Sequence, residues 1–241
     1  MSASPLTVLA YAAIPVSAAI AGSVLAAVRT PSATLRSGVQ HFAAGVVFAA
    51  VAGELLPEVL RIHRPVQVIV GFAVGVGLML LVGHFTEPSV NASVPSGRDT
   101  RSLLIAVGID LAIDGLLVGI GFAAGAKTGV LLVIALTLEV LFLGVSTASA
   151  LGAAGVTARR TIAMCAGLAS LLALGAGVGS VLLHGISDSW LEVVLGFGAA
   201  ALLYLVTEEL LTEAHEVPET PFTTALFFVG FLVLLIIEMV A

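Results

Sequence analysis

Basic residues are scarce in this chain: 9 lysines and arginines stand among 241 residues, against 15 aspartates and glutamates. They are Arg29, Arg36, Arg61, Arg64, Arg98, Arg101, Lys127, Arg159 and Arg160. So thin a scatter excludes a nucleic-acid partner, because gripping a phosphate backbone takes clustered lysine and arginine. Cysteine is rarer still. Cys165 is alone inside an apolar stretch, which rules out an intrachain disulfide, a thiolate cluster or a CxxC site and leaves a small buried thiol. Only 10% of residues are charged, where a soluble domain carries roughly a quarter. No basic stretch precedes the first apolar run, so residues 6–28 are expected to be a retained span rather than a cleaved signal.

What fills the chain instead is apolar: 59% hydrophobic residues and a mean hydropathy of +1.19. Runs of about 20 residues, enough to cross roughly 30 Å of hydrocarbon, recur between interruptions by Arg, Lys, Pro or acidic clusters. They fall at 6–28, 37–60, 66–86, 102–125, 129–153, 160–184, 189–213 and 221–240. In lipid a spanning segment must satisfy its own backbone polar groups, and no barrel-like alternation is present, so all are read as helices. The expectation is a single polytopic domain over 1–241: an all-α integral membrane protein of eight transmembrane helices. With the termini outside, the inner loops hold Arg29, Arg36, Arg98, Arg101, Arg159 and Arg160, and the outer loops Arg61, Arg64 and Lys127. That bias predicts extracytoplasmic termini in a multi-pass protein of the cell membrane, the inner one where the source has two. The 26 glycines, as in GFAVGVG and GAGVGS, read as close helix packing.

Against this background stand acids. Asp110 and Asp114 fall eight and twelve residues into the fourth span, about 12 to 18 Å deep at 1.5 Å per residue. Their i, i+4 spacing sets both carboxylates on one helix face. Glu139, ten residues into the fifth span from the opposite surface, reaches a similar depth of about 15 Å. No lysine or arginine lies in the interior of any span to neutralise them. Such residues usually face a cavity on an ion or proton path. Either they hold protons when the site is empty or a cation fills it, and oxygen ligands suit magnesium, manganese, iron(II) and, less distinctively, zinc.

Nearer the outer surface, GELLPE places Glu54 one turn from Glu58; Glu54 is a candidate entrance and Glu58 reads as interfacial. At the inner end of the seventh span, TEELLTEAHE puts Glu208 and His215 on one face, with Glu209 and Glu213 as a neighbouring stripe, a candidate inner mouth. His41, His63, His84 and His184 lie at span ends and read as interfacial, as do Glu87, Asp188, Glu192 and Glu238. Trp190 fits an aromatic belt.

These residues resemble the ZIP (Zrt-, Irt-like protein) family of divalent metal transporters. That family's fourth span carries HNxPEG, and DLAIDGLLVGIGFAAG stands in its place, with Asp110 at the His, Leu111 at the Asn, Asp114 at the Glu and Gly115 kept. In the fifth span LEVLFLG offers Glu139 for the first acid of a motif that is often HExPEG, with Phe142 at the second. EELLTEAH echoes the seventh-span HExxPExH through Glu209, Glu213 and His215, with Glu208 at the first His. In span two, HFAAGVVFAAVAGELLPE looks like the family's small-residue helix ending in a Leu-Pro pair. The match departs where Ile113 and Leu141 replace both signature prolines, which predicts weaker or absent helix breaks. Neither signature histidine survives, span six offers no acid, and no histidine stands in residues 87–101. One metal position rather than two is expected, with selectivity shifted from zinc toward manganese, iron(II) or broad divalent transport.

The resemblance implies a ZIP-like bundle, a homodimer, and an elevator in which spans one, four, five and six carry the ion past a scaffold of two, three, seven and eight. The divalent cation is then substrate, with no permanent cofactor and no enzymatic activity. Asp110, Asp114 and Glu139 bind it, Glu54 lies near its entrance, and Glu208, Glu209, Glu213 and His215 receive it inside. A ZIP-fold protein that has lost transport and acts structurally or in regulation is the alternative. An intramembrane aspartic hydrolase is disfavoured, since two of the three acids share one helix.

Overall fold

Each of the eight apolar runs folds as a helix long and apolar enough to cross a membrane. The computed structural model describes residues 3–29, 31–86, 97–183, 185–215, 217–218 and 220–240, and among them there is no strand. The helices are α1 (Pro5–Val28), α2 (Ala33–Ala50, continuing through Leu56–Ile62), α3 (Pro65–Thr86), α4 (Gly97–Ala124), α5 (Ala126–Ala153), α6 (Ala158–Leu182), α7 (Asp188–Tyr204, continuing through Leu211–Ala214) and α8 (Pro221–Val240). Local chemistry sets their ends. Ser4 and Ser32 accept the Thr7 and Leu35 amides as N-caps, and proline opens α1, α3 and α8 where its missing N–H has no partner to lose. Gly155 and Gly185 turn the chain at φ 79° and 72°, a left-handed backbone that glycine takes without penalty.

Two helices do not stay α-helical. α2 widens into a π-helical stretch at Val51–Leu55 and α7 at Leu205–Leu210, where Leu56 N–H reaches the Val51 carbonyl and Leu211 N–H the Val206 carbonyl. Such bulges rotate the residues beyond them and recur at functional sites. Both carry acids: Glu54 in the first, Glu208 and Glu209 in the second. By contrast α4 and α5 are continuous through Ile113 and Leu141, in line with the expectation drawn from the missing prolines.

Packing follows a repeated plan. α1 lies along α5, α4 along α6, α2 along α8 and α3 along α7. Pairing the first helix with the sixth, the second with the seventh and the third with the eighth maps this set of seams onto itself when α4 and α5 are exchanged. Glycine makes the seams close. A β-carbon on Gly115 of α4 would meet the Leu172 carbonyl of α6 and stand 2.8 Å from the Ala176 nitrogen. On α6, one on Gly175 would in turn meet the Ala112 carbonyl and stand 3.0 Å from the Leu116 nitrogen.

Burial sorts the bundle into centre and rim. The most apolar windows of α2, α4 and α5 are 61% buried, while those of α3 and α8 are 17% buried and present their side chains outward. Hydrogen bonds mark the two ends of the bundle. At the end holding the termini, Thr128 reaches Glu54 and the Arg64 amide reaches Glu192; at the far end, Ser37 reaches the Ala214 carbonyl.

Candidate metal centre

The central helices α4 and α5 carry three acids to one place. Asp110 and Asp114, a turn apart on α4, face Glu139 of α5, and each offers an oxygen lying within 4.8 Å of the other two. Asp114 is 0% exposed, Glu139 2% and Asp110 8%. Asp110 Oδ1, both Asp114 oxygens and Glu139 Oε2 receive no bond from any N–H or hydroxyl among the described residues, so that Asp114 and Glu139 have only each other's carboxyl to pair with. Buried carboxyl oxygens are ordinarily satisfied, so four without such a donor at one point call for a missing partner.

Magnitudes say what that partner must be. At an effective dielectric near 20, two unit charges 4.8 Å apart repel by about 3.5 kcal/mol, and three ionised carboxylates make three such pairs. Protons or a cation must offset this. Oxygens on opposite sides of one ion stand about 4 Å apart for magnesium and about 5 Å for calcium, so the trio has the dimensions of a single divalent ion's shell. With continuous helices, no backbone carbonyl is freed from the helical ladder to join them.

A cavity of about 490 Å³ leads to this point from the far end of the bundle. Its walls include Asp110, Glu208, Glu209 and Glu213, together with Tyr204 and Thr212. The π-helical turn at Leu205–Leu210 contributes to this convergence, since it alters the register of α7 between Tyr204 and Thr212. The cavity ends at Asp110: Asp114 and Glu139 stand deeper, behind it, and form no part of the lining.

Glu54 occupies the opposite side. It is 8% exposed, and the Thr128 hydroxyl of α5 donates to its Oε2 at 2.9 Å. The Glu238 carboxylate of α8 lies against the neighbouring Gly53, and Lys127 Nζ donates to the Glu238 main-chain oxygen at 3.0 Å. The end of the bundle holding the termini is thereby tied across α2, α5 and α8, whereas the far end is open to Asp110.

His215 does not line the cavity; its ring stands against His41 of α2, centroids 5.3 Å apart. Glu213 ties helices as well as facing the cavity, taking hydrogen bonds from Gln40 of α2 and, at 3.4 Å, from Ser146 of α5. Two interfacial readings need correction. His41 is 2% exposed, packed under the end of α7, and Glu192 is 0% exposed, accepting the Arg64 amide at 2.8 Å at the start of α3. In both cases a helix end that looks peripheral in the sequence is covered by a neighbouring helix. Glu58 pairs with the exposed Arg61 at 2.5 Å, and His63 and Trp190 are exposed at span ends. Glu87, His184 and Glu216 lie outside the described residues.

Thr128, Gln40 and Ser146 escaped the sequence reading because uncharged polar residues in apolar runs carry no signal of their partners. One signal was available. Aligning Phe42 with Phe197 sets GELLPE on EELLTE, so that Glu54 matches Glu209, Glu58 matches Glu213 and the two π-helical stretches overlap. Internal repetition of this kind points to polar sites at the interface of the repeats. Comparisons with known family models and with curated proteins find no match for this chain.

Proposed function

We propose that this protein moves divalent metal cations across a membrane, binding them at Asp110, Asp114 and Glu139, as a divergent member of the ZIP family. The observation that carries the reading is the convergence of three buried carboxylates on one ion-sized point, with four oxygens that no N–H or hydroxyl among the described residues reaches. Unpaired intramembrane acids of this kind ordinarily serve an ion path. The cavity supplies the path on one side, through Glu208, Glu209 and Glu213, and Glu54 with Thr128 closes the other. With the termini outside, as the arginine bias suggests, the open side is cytoplasmic and this conformation faces inward.

In this reading an ion held by the trio is released past Asp110 into the acid-lined cavity. Uptake requires the reverse arrangement, in which the contacts among Glu54, Thr128, Lys127 and Glu238 separate and the far end closes. Helices α1, α4, α5 and α6 form the moving unit and α2, α3, α7 and α8 the scaffold, consistent with seams that lie within each group. An all-oxygen site favours manganese, iron(II) or magnesium over ions that prefer imidazole.

Proteoliposomes carrying the purified protein and a metal-sensitive dye test this, with manganese, iron(II), zinc, cadmium and magnesium supplied outside. Flux above protein-free vesicles for at least one ion, abolished in Glu139→Gln, is the expected result. Metal binding without flux would instead favour the fold acting in regulation; neither binding nor flux would end the proposal.

A further inference from the structure

The cavity that ends at Asp110 is larger than an ion needs, and much of its lining is hydrocarbon. We propose that it binds amphipathic organic cations, molecules carrying an ammonium or amidinium head on an apolar body, with the head at Asp110, Glu209 and Glu213. The proposal does not depend on transport, since binding alone reads it out.

Size and lining exclude the simpler occupants. A volume of about 490 Å³ falls among pockets that take drug-sized ligands. A divalent ion with six waters, at about 30 Å³ each, fills roughly 180 Å³, well under half of that space. The lining also divides by chemistry. Asp110 of α4 with Glu209 and Glu213 of α7 is acidic, whereas Met79 of α3, Val107 and Ile113 of α4 and Leu143 of α5 are apolar. Hydrocarbon gives a hydrated ion nothing, because the outer waters lose hydrogen bonds against it. A ligand with an apolar body gains from the same surface.

Asp110 marks where the charged head sits. It is 8% exposed, it closes the cavity, and no N–H or hydroxyl among the described residues donates to it. A carboxylate so buried ordinarily has a donor, and here the cavity is the space from which one can arrive. Asp110, Glu209 and Glu213 also stand close enough to repel one another. Among the described residues no lysine, arginine or histidine lines the cavity to offset them. An ammonium brings a positive charge and three N–H donors to that point, and its bonds to carboxylates are of the strong, charge-assisted kind. Glu213 is held in place beforehand by Gln40 of α2 and Ser146 of α5. A cation seated there therefore joins α4 to α7 and lays its body along α3 and α5.

The full chain in phosphatidylcholine nanodiscs, titrated at neutral pH with radiolabelled 4-phenylbutylamine and corrected for uptake by empty discs, provides the test. Saturable binding of one amine per chain is expected. The neutral analogue 4-phenylbutan-1-ol is expected to compete at least about 10-fold more weakly, having lost the charge, and methylammonium at least about 100-fold more weakly, having lost the body. Glu209→Gln is expected to weaken amine binding by at least about 10-fold. Ala106→Phe, which fills the cavity without touching a carboxylate, serves as a second variant with an expected loss of at least about 5-fold. No saturable binding above empty discs overturns the proposal, as does binding unchanged in folded Glu209→Gln or Ala106→Phe, or an alcohol that competes as well as the amine. The carboxylate trio fails separately, as Mn²⁺ binding that is absent from wild type or unaffected by Asp114→Asn.

Discussion

Replacing Asp114 with asparagine makes the sharpest trial of the carboxylate site, because the change is nearly isosteric and strikes the residue common to the most buried pairs. Asp114 takes part in two of the three carboxylate pairs, so with all three ionised its neutralisation relieves about 7 kcal/mol of repulsion at an effective dielectric near 20. Protonation of the empty site already removes most of that load, so the measured gain in metal-free stability is a small fraction of it, but its sign is positive. Binding moves the other way. Losing one charged ligand of three is expected to weaken affinity by at least about 100-fold, the upper end of what loss of a mere outer-shell partner costs.

Ligand linkage converts this into a melting curve. At a metal concentration about 100 times the wild-type Kd, binding adds about 2.7 kcal/mol to wild type, and a variant binding about 100-fold more weakly gains about 0.4 kcal/mol. At about 2–4 °C per kcal/mol for a chain of this size, wild type rises by about 5–10 °C and the variant by about 1 °C. Scanning fluorimetry on the lone Trp190, with and without Mn²⁺, measures both shifts. An Asp114→Asn protein that melts no higher without metal and responds to metal as wild type does would refute the reasoning.

Three further outcomes follow from the same geometry. Gly115→Val is expected to cost about 1–3 kcal/mol in thermal stability and to reduce metal binding, because its side chain drives into α6 beside Asp114, while Gly167→Val, in open space, leaves the melting point nearly unchanged. Thr128→Val, which removes the donor to a buried carboxylate, is expected to lower stability by about 1–3 kcal/mol; an unchanged melt would mean that Glu54 is not held there. Initial uptake into proteoliposomes is expected to fall as the outside is taken from about pH 7.5 to about pH 5.5, because protons and metal compete for the same carboxylates. Uptake that rises with acid would contradict that competition.

Much of the plan is legible in one dimension because lipid imposes a length and a composition. Eight runs of about the thickness of a bilayer become eight helices, and Asp110, Asp114 and Glu139 share a depth because rise per residue is constant. The loss of both prolines likewise foretells the unbroken α4 and α5, since without a missing N–H or a ring clash nothing interrupts their ladders. Depth is not direction, however. That the three carboxylates face one another depends on the rotation of α4 against α5, which the glycine seams with α6 and α1 settle.

Other features belong to the tertiary structure alone. The π-helical turns beside Glu54 and Glu208 arise in sequences whose local propensity is simply helical, so no residue announces them. Glu54 meets Thr128, Gln40 meets Glu213, and His41 meets His215 across 74 to 174 residues of chain, contacts made by whichever helices happen to pack together. Composition and spacing thus determined that the chain spans a membrane and which acids sit at its middle, because those follow from solvent and helix geometry. Which ends are tied and which lie open, and where His41 and Glu192 are buried, was decided by helix packing, because only packing chooses the neighbours of a side chain.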